Sequence, residues 1–317
     1  MFVVEHLDKA RNQKPLFSFE IVPPRRGTRG QDILDVVETL QSLNPAWIDV
    51  TSHSSSAIYR ERPEGAIERK VFRKRPGTLG ICGIIQNRYK IDTVAHVLCL
   101  GFSKEETEDA LIELNFLGIQ NVLALRGDTP NFEKDFSRDK TLNQYAADLV
   151  AQMSDLKKGK FIHDIDLAAP LEFCIGVAAY PEKHFEAPSM KVDIQNLKRK
   201  IEAGAQYVTT QMFFDNNKYF EFVRQCREAG ITVPIVPGLK VLRSIKQLQS
   251  LPKAFHIDLP DELVDDVVAN PDHVAEIGQR WAHKQAEELI EKRAPGVHFY
   301  VLNDANSIQS IVKKLQK

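Results

Sequence analysis

The chain alternates short, mainly apolar runs with longer stretches whose apolar positions recur every three or four residues. Eight runs read as strands: Leu16–Val22, Trp47–Ser52, His96–Leu100, Asn121–Gly127, Phe173–Tyr180, Tyr207–Phe214, Val233–Leu239 and Val297–Asn303. Short apolar runs of this kind fit parallel strands covered on both faces. Between them, Asp32–Leu43 places Ile33, Val36, Val37, Leu40 and Leu43 close to a helical period. Ser103–Leu117 opens on a capping box, Ser103 with Glu106 three residues on. Thr141–Leu156, Val192–Ala203, Lys218–Ala229 and His273–Lys292 are further expected helices. Gly118, Gly204 and Gly230 stand just past three of these, where a helix stops most easily on glycine.

Eight strands, most followed by a helix, predict an α/β fold: a single (β/α)8 TIM barrel over residues 1–317. An open sheet with as many strands is the alternative, but no GxGxxG turn follows the first strand. His53–Asp92, strongly basic around Arg60–Arg75, and Lys157–Pro170 read as surface excursions. Composition changes this picture little. Hydrophobic residues make up 43% and charged residues 27%, with a net charge of −1, so no global field favours nucleic acid or an anionic membrane. No window has the apolar length of a membrane span, and residues 1–15 lack a signal-peptide core. A cytoplasmic protein without a metal site is expected. Cys82, Cys99, Cys174 and Cys226 are widely spread and form no CxxC pair.

In a barrel of this kind, chemistry gathers at the C-terminal ends of the strands. Glu20 interrupts the first apolar run; burial would raise its pKa and suit a general acid, and a structural carboxylate paired with Arg25 or another cation is the equal alternative. Arg126-Gly127-Asp128 ends the fourth run, offering a guanidinium fork, close backbone approach and a carboxylate, or simply an Asp-Thr-Pro turn. Tyr180 and His184 follow the fifth run, and Asp193 shares a helix face with Lys200 in a basic cluster. Gln211 is an amide in an apolar strand and needs partners for both its ends. His298 and Tyr300 share one face of the last strand, which is either core or exterior. His53 is a weaker candidate. HExxH, Walker A and GxSxG are absent, which disfavours hydrolysis.

Five ordered segments, Phe17–Arg25, Ala124–Asp128, Val177–His184, Asn196–Lys200 and Thr210–Asp215, followed by His298–Asn303, resemble the methylenetetrahydrofolate reductase family, bacterial type and catalytic domain only. The resemblance implies a flavoprotein of one-carbon metabolism and methionine biosynthesis. It would reduce 5,10-methylenetetrahydrofolate to 5-methyltetrahydrofolate by ping-pong hydride transfer through FAD, with NADH or NADPH as donor. It implies Glu20 as general acid, Asp128 as the carboxylate that tunes the flavin, and Gln211 and Gln247 as substrate contacts. Thr51, His96, Arg126, Gly127, Asp128, Ala146, Tyr180, His184, Asp193 and Lys200 fall where the family contacts FAD. A homo-oligomer is implied, and without the family's regulatory domain its allosteric inhibition is not expected. Three departures stand out: Asp304 replaces an arginine, Leu248–Leu251 replaces a region with an aromatic residue, and the basic segment Tyr59–Lys74 is long. They motivate an alternative, a flavin- or folate-binding barrel subunit that takes electrons from a partner protein rather than free NAD(P)H.

Overall fold

The computed structural model describes residues 1–10, 15–54, 56–72, 75, 77–127, 141–302 and 304–316. Helix α1 (Val3–Ala10) precedes strand β1 (Phe17–Ile21), and α2 (Gly30–Gln41) leads into β2 (Trp47–Val50). An antiparallel hairpin, β3 (Ser56–Glu61) with β4 (Ile67–Phe72), and helix α3 (Thr78–Ile84) then separate β2 from β5 (Thr93–Leu98). Strand and helix alternate from there: α4 (Lys104–Phe116), β6 (Asn121–Leu125), α5 (Ala146–Leu156), β7 (Cys174–Ala179), α6 (Met190–Glu202), β8 (Tyr207–Met212), α7 (Asn216–Glu228) and β9 (Ile235–Leu239). Helices α8 (Gln247–Phe255), α9 (Asp261–Ala269) and α10 (Val274–Glu291) come before β10 (Val297–Leu302) and α11 (Ala305–Leu315). Eight strands close into a barrel in the order β1-β10-β9-β8-β7-β6-β5-β2, every pairing parallel.

Each expected strand overlaps one barrel strand. The Ser103 capping box forms as expected, with Glu106 N donating to Ser103 Oγ at 3.1 Å and Ser103 N to Glu106 Oε2 at 2.8 Å. Gly118, Gly204 and Gly230 all take positive φ. The His53–Asp92 excursion contains the hairpin and α3, while 157–170 crosses the surface without helix or strand. Helix α5 begins at Ala146, five residues later than the apolar pattern suggested.

Period-two alternation sorts each strand's side chains between two compartments. Phe17, Phe19 and Ile21 of β1 join the apolar layer between barrel and helices, with Val208, Ile235, Leu239, Val297, Phe299 and Val301. The intervening positions point into the lumen. Its lower layer is apolar: Leu16, Trp47, Val94, Leu123, Cys174, Tyr207 and Val236, closed from below by Val3 and Leu7 of α1. Burying those two α1 side chains contributes roughly 1.5–3 kcal/mol each. Asn121 fixes the plug: its Oδ1 accepts from Val3 N at 2.9 Å, and its Nδ2 donates to Met1 O at 3.1 Å.

The loop after β9 is seated by direct backbone packing. A Cβ added at Gly278 of α10 would lie 2.0 Å from the Leu242 carbonyl oxygen, so only glycine lets the helix approach this closely. We predict that Gly278→Ala lowers unfolding stability by about 1–3 kcal/mol, the usual cost of overpacking. Urea denaturation checks this; an unchanged midpoint would show that the loop is not seated this way.

Candidate functional site

Above the apolar plug the lumen becomes polar. Ser18 and Glu20 of β1, Asp49 of β2, His96 of β5 and His298 of β10 are all buried. His96 Nε2 lies 3.6 Å from Glu20 Oε2 and 3.5 Å from Asp49 Oδ1. His298 Nε2 lies 3.9 Å from Glu20 Oε2, and its Nδ1 lies 3.7 Å from Asp49 Oδ2 and 2.9 Å from Ser18 Oγ. Two carboxylates thus share two imidazoles across the lumen, mostly at ion-pair rather than hydrogen-bond distance. Both Asp49 oxygens are buried without a hydrogen-bond partner among the described residues.

Glu20 is paired, as the structural alternative expected, but among the described residues its ion-pair partners are His96 and His298 rather than Arg25. This geometry also corrects the expected direction of its pKa. Burial pushes the Glu20 carboxyl up, but His298, His96 and Lys240 around it outweigh that, and it lies below its ordinary value. Burial lowers His96, yet the Asp49 and Glu20 carboxylates more than offset this and raise it. Position in the strand singled out this carboxylate; the cations that surround it were not read from the sequence.

Tyr300 spans the upper lumen. Its hydroxyl donates to Thr210 O at 2.6 Å, crossing over Gly238 of the intervening β9. A Cβ at Gly238 would sit 2.4 Å from Thr210 O and 2.6 Å from the Tyr300 ring, so glycine clears the path. The last strand therefore turns His298 and Tyr300 inward, and they meet edge to face at 5.1 Å. Burial first, then the Glu20 and Asp49 carboxylates, hold the Tyr300 phenol well above its usual pKa. Gln211 stands at the end of β8, half-buried, where the register with β9 shifts. Its Oε1 accepts from Met212 N at 2.9 Å.

The ends of β6 and β7 carry a second group of expected residues. Arg126 pairs with Glu186 and lies 5.3 Å over the Tyr145 ring. Gly127 takes φ +87. Tyr180 meets His184 edge to face at 4.7 Å, and His184 N donates to Asp193 Oδ2 at 2.8 Å. Lys200 Nζ donates to Ala178 O at 2.9 Å, and burial lowers its pKa. The rest of its basic cluster turns elsewhere: Lys198 donates to Ala229 O. Ala146 opens α5, and Thr51 O, past β2, accepts from Thr78 Oγ1 at 2.9 Å. His96, grouped by resemblance with these residues, lies deeper, in the carboxylate cluster. Asp128 lies outside the described residues.

On the β9 side, Gln247 Oε1 accepts from Arg243 N at 2.6 Å and Ser244 N at 3.2 Å, clipping the loop that leads into α8. Arg243 Nε lies 2.8 Å from Asp304 Oδ2. A guanidinium thus stands beside the position where the resemblance leads one to expect an arginine, carried by a different strand's loop. Leu251 is buried among Met212, Phe214 and Leu263. Two lumen residues escaped the sequence reading. Asp49 sits in Trp47-Ile48-Asp49-Val50, the same acid-in-apolar-strand signal that singled out Glu20. Lys240 follows Val236 and Gly238 in period two, which places it inward.

Comparison with known proteins fits this arrangement. The family model described as methylenetetrahydrofolate reductase matches residues 5–316. A Caenorhabditis elegans protein named probable methylenetetrahydrofolate reductase (NADPH) is 29% identical over 98% of this chain and 44% of its own length. The 5,10-methylenetetrahydrofolate reductase of Pectobacterium carotovorum is 30% identical over 94% of this chain and 89% of its own. The chain therefore spans about half the length of the nematode relative and most of the bacterial one. Among solved structures, a Clostridium thermocellum protein described as binding two copies of 5-methyl-5,6,7,8-tetrahydrofolic acid superposes with a TM-score of 0.56. It is 14% identical, over 98% of this chain and 99% of its own, which supports the barrel alone. With a family model matched over nearly its whole length, the chain belongs to the methylenetetrahydrofolate reductase family.

Proposed function

We propose that this chain reduces 5,10-methylenetetrahydrofolate to 5-methyltetrahydrofolate, with FAD as its cofactor and NADH or NADPH as donor, the two substrates using the mouth in turn. The observation that carries the reading is a buried acid, Glu20, beneath a barrel mouth in a chain of this family. The residues present fit a flavin. Arg126 Nε and Thr51 Oγ1 are buried without hydrogen-bond partners among the described residues, at strand ends where a ligand's polar edges would satisfy them. Tyr180, His184, Asp193 and Lys200 would hold it from the β7 and α6 side, and Asp128 would lie beside its ring. Bound there, the flavin supplies hydride transfer, while the protein supplies orientation and charge.

Glu20 supplies the proton. Reduction requires the five-membered folate ring to open: a proton moves from the Glu20 carboxyl to the departing ring nitrogen as the methylene carbon–nitrogen bond breaks. That leaves a carboxylate on the protein and an electrophilic iminium on the substrate, ready to accept hydride. Because surrounding cations hold Glu20 below its ordinary pKa, it must take up a proton before this step. Substrate covering the mouth would expel water and favour the neutral acid. Gln211, its oxygen occupied by Met212 N–H, would offer its amide N–H2 to the pterin.

The purified protein is expected to be yellow and to bleach under anaerobic mixing with NADH or NADPH. A flavin that bleaches with neither, but does so with a partner reductase, would favour the subunit reading instead. Glu20→Gln is expected to keep flavin reduction and to lower folate turnover by roughly 10²–10⁴-fold, the range for a general acid. Turnover near wild type in that variant would remove Glu20 from the role.

A further inference from the structure

Resting on the reductase reading, we infer that Lys240 is a positioning residue for the acid step: its ammonium group governs when Glu20 carries the proton. Register places it there. His298 pairs with Gly238 and Phe299 with Leu239, so Lys240 falls beside Tyr300; Glu20 pairs with Tyr300 from the other side. Three inward side chains thus stand at one level across β9, β10 and β1. Lys240 is 5% exposed, and its Nζ donates to Tyr300 O at 3.2 Å.

A buried ammonium is costly without a counter-charge. Arg243 and Asp304 neutralise each other at 2.8 Å. Glu20 and Asp49 share His96 and His298. Lys240, at the same level of the lumen as Glu20 and Tyr300, adds a further positive charge beyond these ion pairs, and it and Glu20 act on each other. Burial, with Arg243 nearby, brings Lys240 down to about 8, while Glu20 and Asp304 pull it the other way. Glu20 is faced by Asp49, His96, His298 and Tyr300 as well as by Lys240. Lys240 also acts with Arg243, on the loop that follows it. Substrate seated there would meet the ammonium and the acid together, coupling occupancy of the mouth to proton uptake by Glu20.

Two other roles compete. Lys240 could merely brace the Tyr300 carbonyl beside the register shift between Glu20 and Ile21. Alternatively, it could only contact substrate. Lys240→Gln separates them, because glutamine keeps a donor for that carbonyl and removes the charge; Lys240→Arg keeps the charge. The measurement is the infrared carboxylic-acid band of the substrate-free protein against pH, assigned by its loss in Glu20→Gln. The band's midpoint is expected to rise by about 1–3 pH units in Lys240→Gln, the effect of removing a nearby opposite charge, and to stay near wild type in Lys240→Arg. The alkaline limb of folate reduction should move upward with it. An unmoved midpoint in a folded Lys240→Gln protein overturns the proposal, as does a moved midpoint with an unmoved limb. Lys240→Met serves if the glutamine variant does not fold. If wild type reduces no folate, the reductase reading falls, while the infrared midpoint still decides whether Lys240 acts on Glu20.

Discussion

The site depends on one constraint: two carboxylates and two imidazoles share a buried lumen. A barrel interior normally packs layers of branched apolar side chains. Here the lower layer does so, under the α1 plug, and the layer above it is ionic. Charges in such a place persist only where opposite charges accompany them. The positions of Asp49, His96 and His298 follow from that requirement, and their shared geometry fixes where the Glu20 carboxyl can point.

The same constraint explains why neighbouring elements look as they do. Gly238 is bare so that Tyr300 can cross β9 and tie the last strand to Thr210. Gly278 is bare so that α10 can press on Leu242 and hold the loop that follows Lys240. Gln247 then fixes that loop through the Arg243 and Ser244 amides. Asp304, where the resemblance implies an arginine, pairs with Arg243, so a guanidinium stands in the same region.

The barrel was legible because parallel strands buried on both faces leave a strong apolar signal. Less regular elements were not. Helix α11 carries Ile308, Ile311 and Val312 at helical spacing, but it is short and follows the last strand. Helix α8 contains Pro252 at its sixth residue, inside the helix, where the missing N–H argues against a helix in a sequence reading. At the site, period two and burial pointed to Glu20, Gln211 and Tyr300, and resemblance to Arg126, Tyr180, His184 and Lys200. What could not be read was which charges face each other across the lumen. His96 and Glu20 lie 76 residues apart on strands that are not neighbours, and only barrel closure brings them within 3.6 Å. That omission reversed the expected direction of the Glu20 pKa.

The most direct test of this account is a single turnover. Protein loaded with FAD, reduced by light without any nicotinamide, is mixed anaerobically with methylenetetrahydrofolate while the flavin absorbance is followed. The account predicts that the yellow colour returns and 5-methyltetrahydrofolate appears in equal amount. A flavin that stays reduced until oxygen is admitted would contradict it.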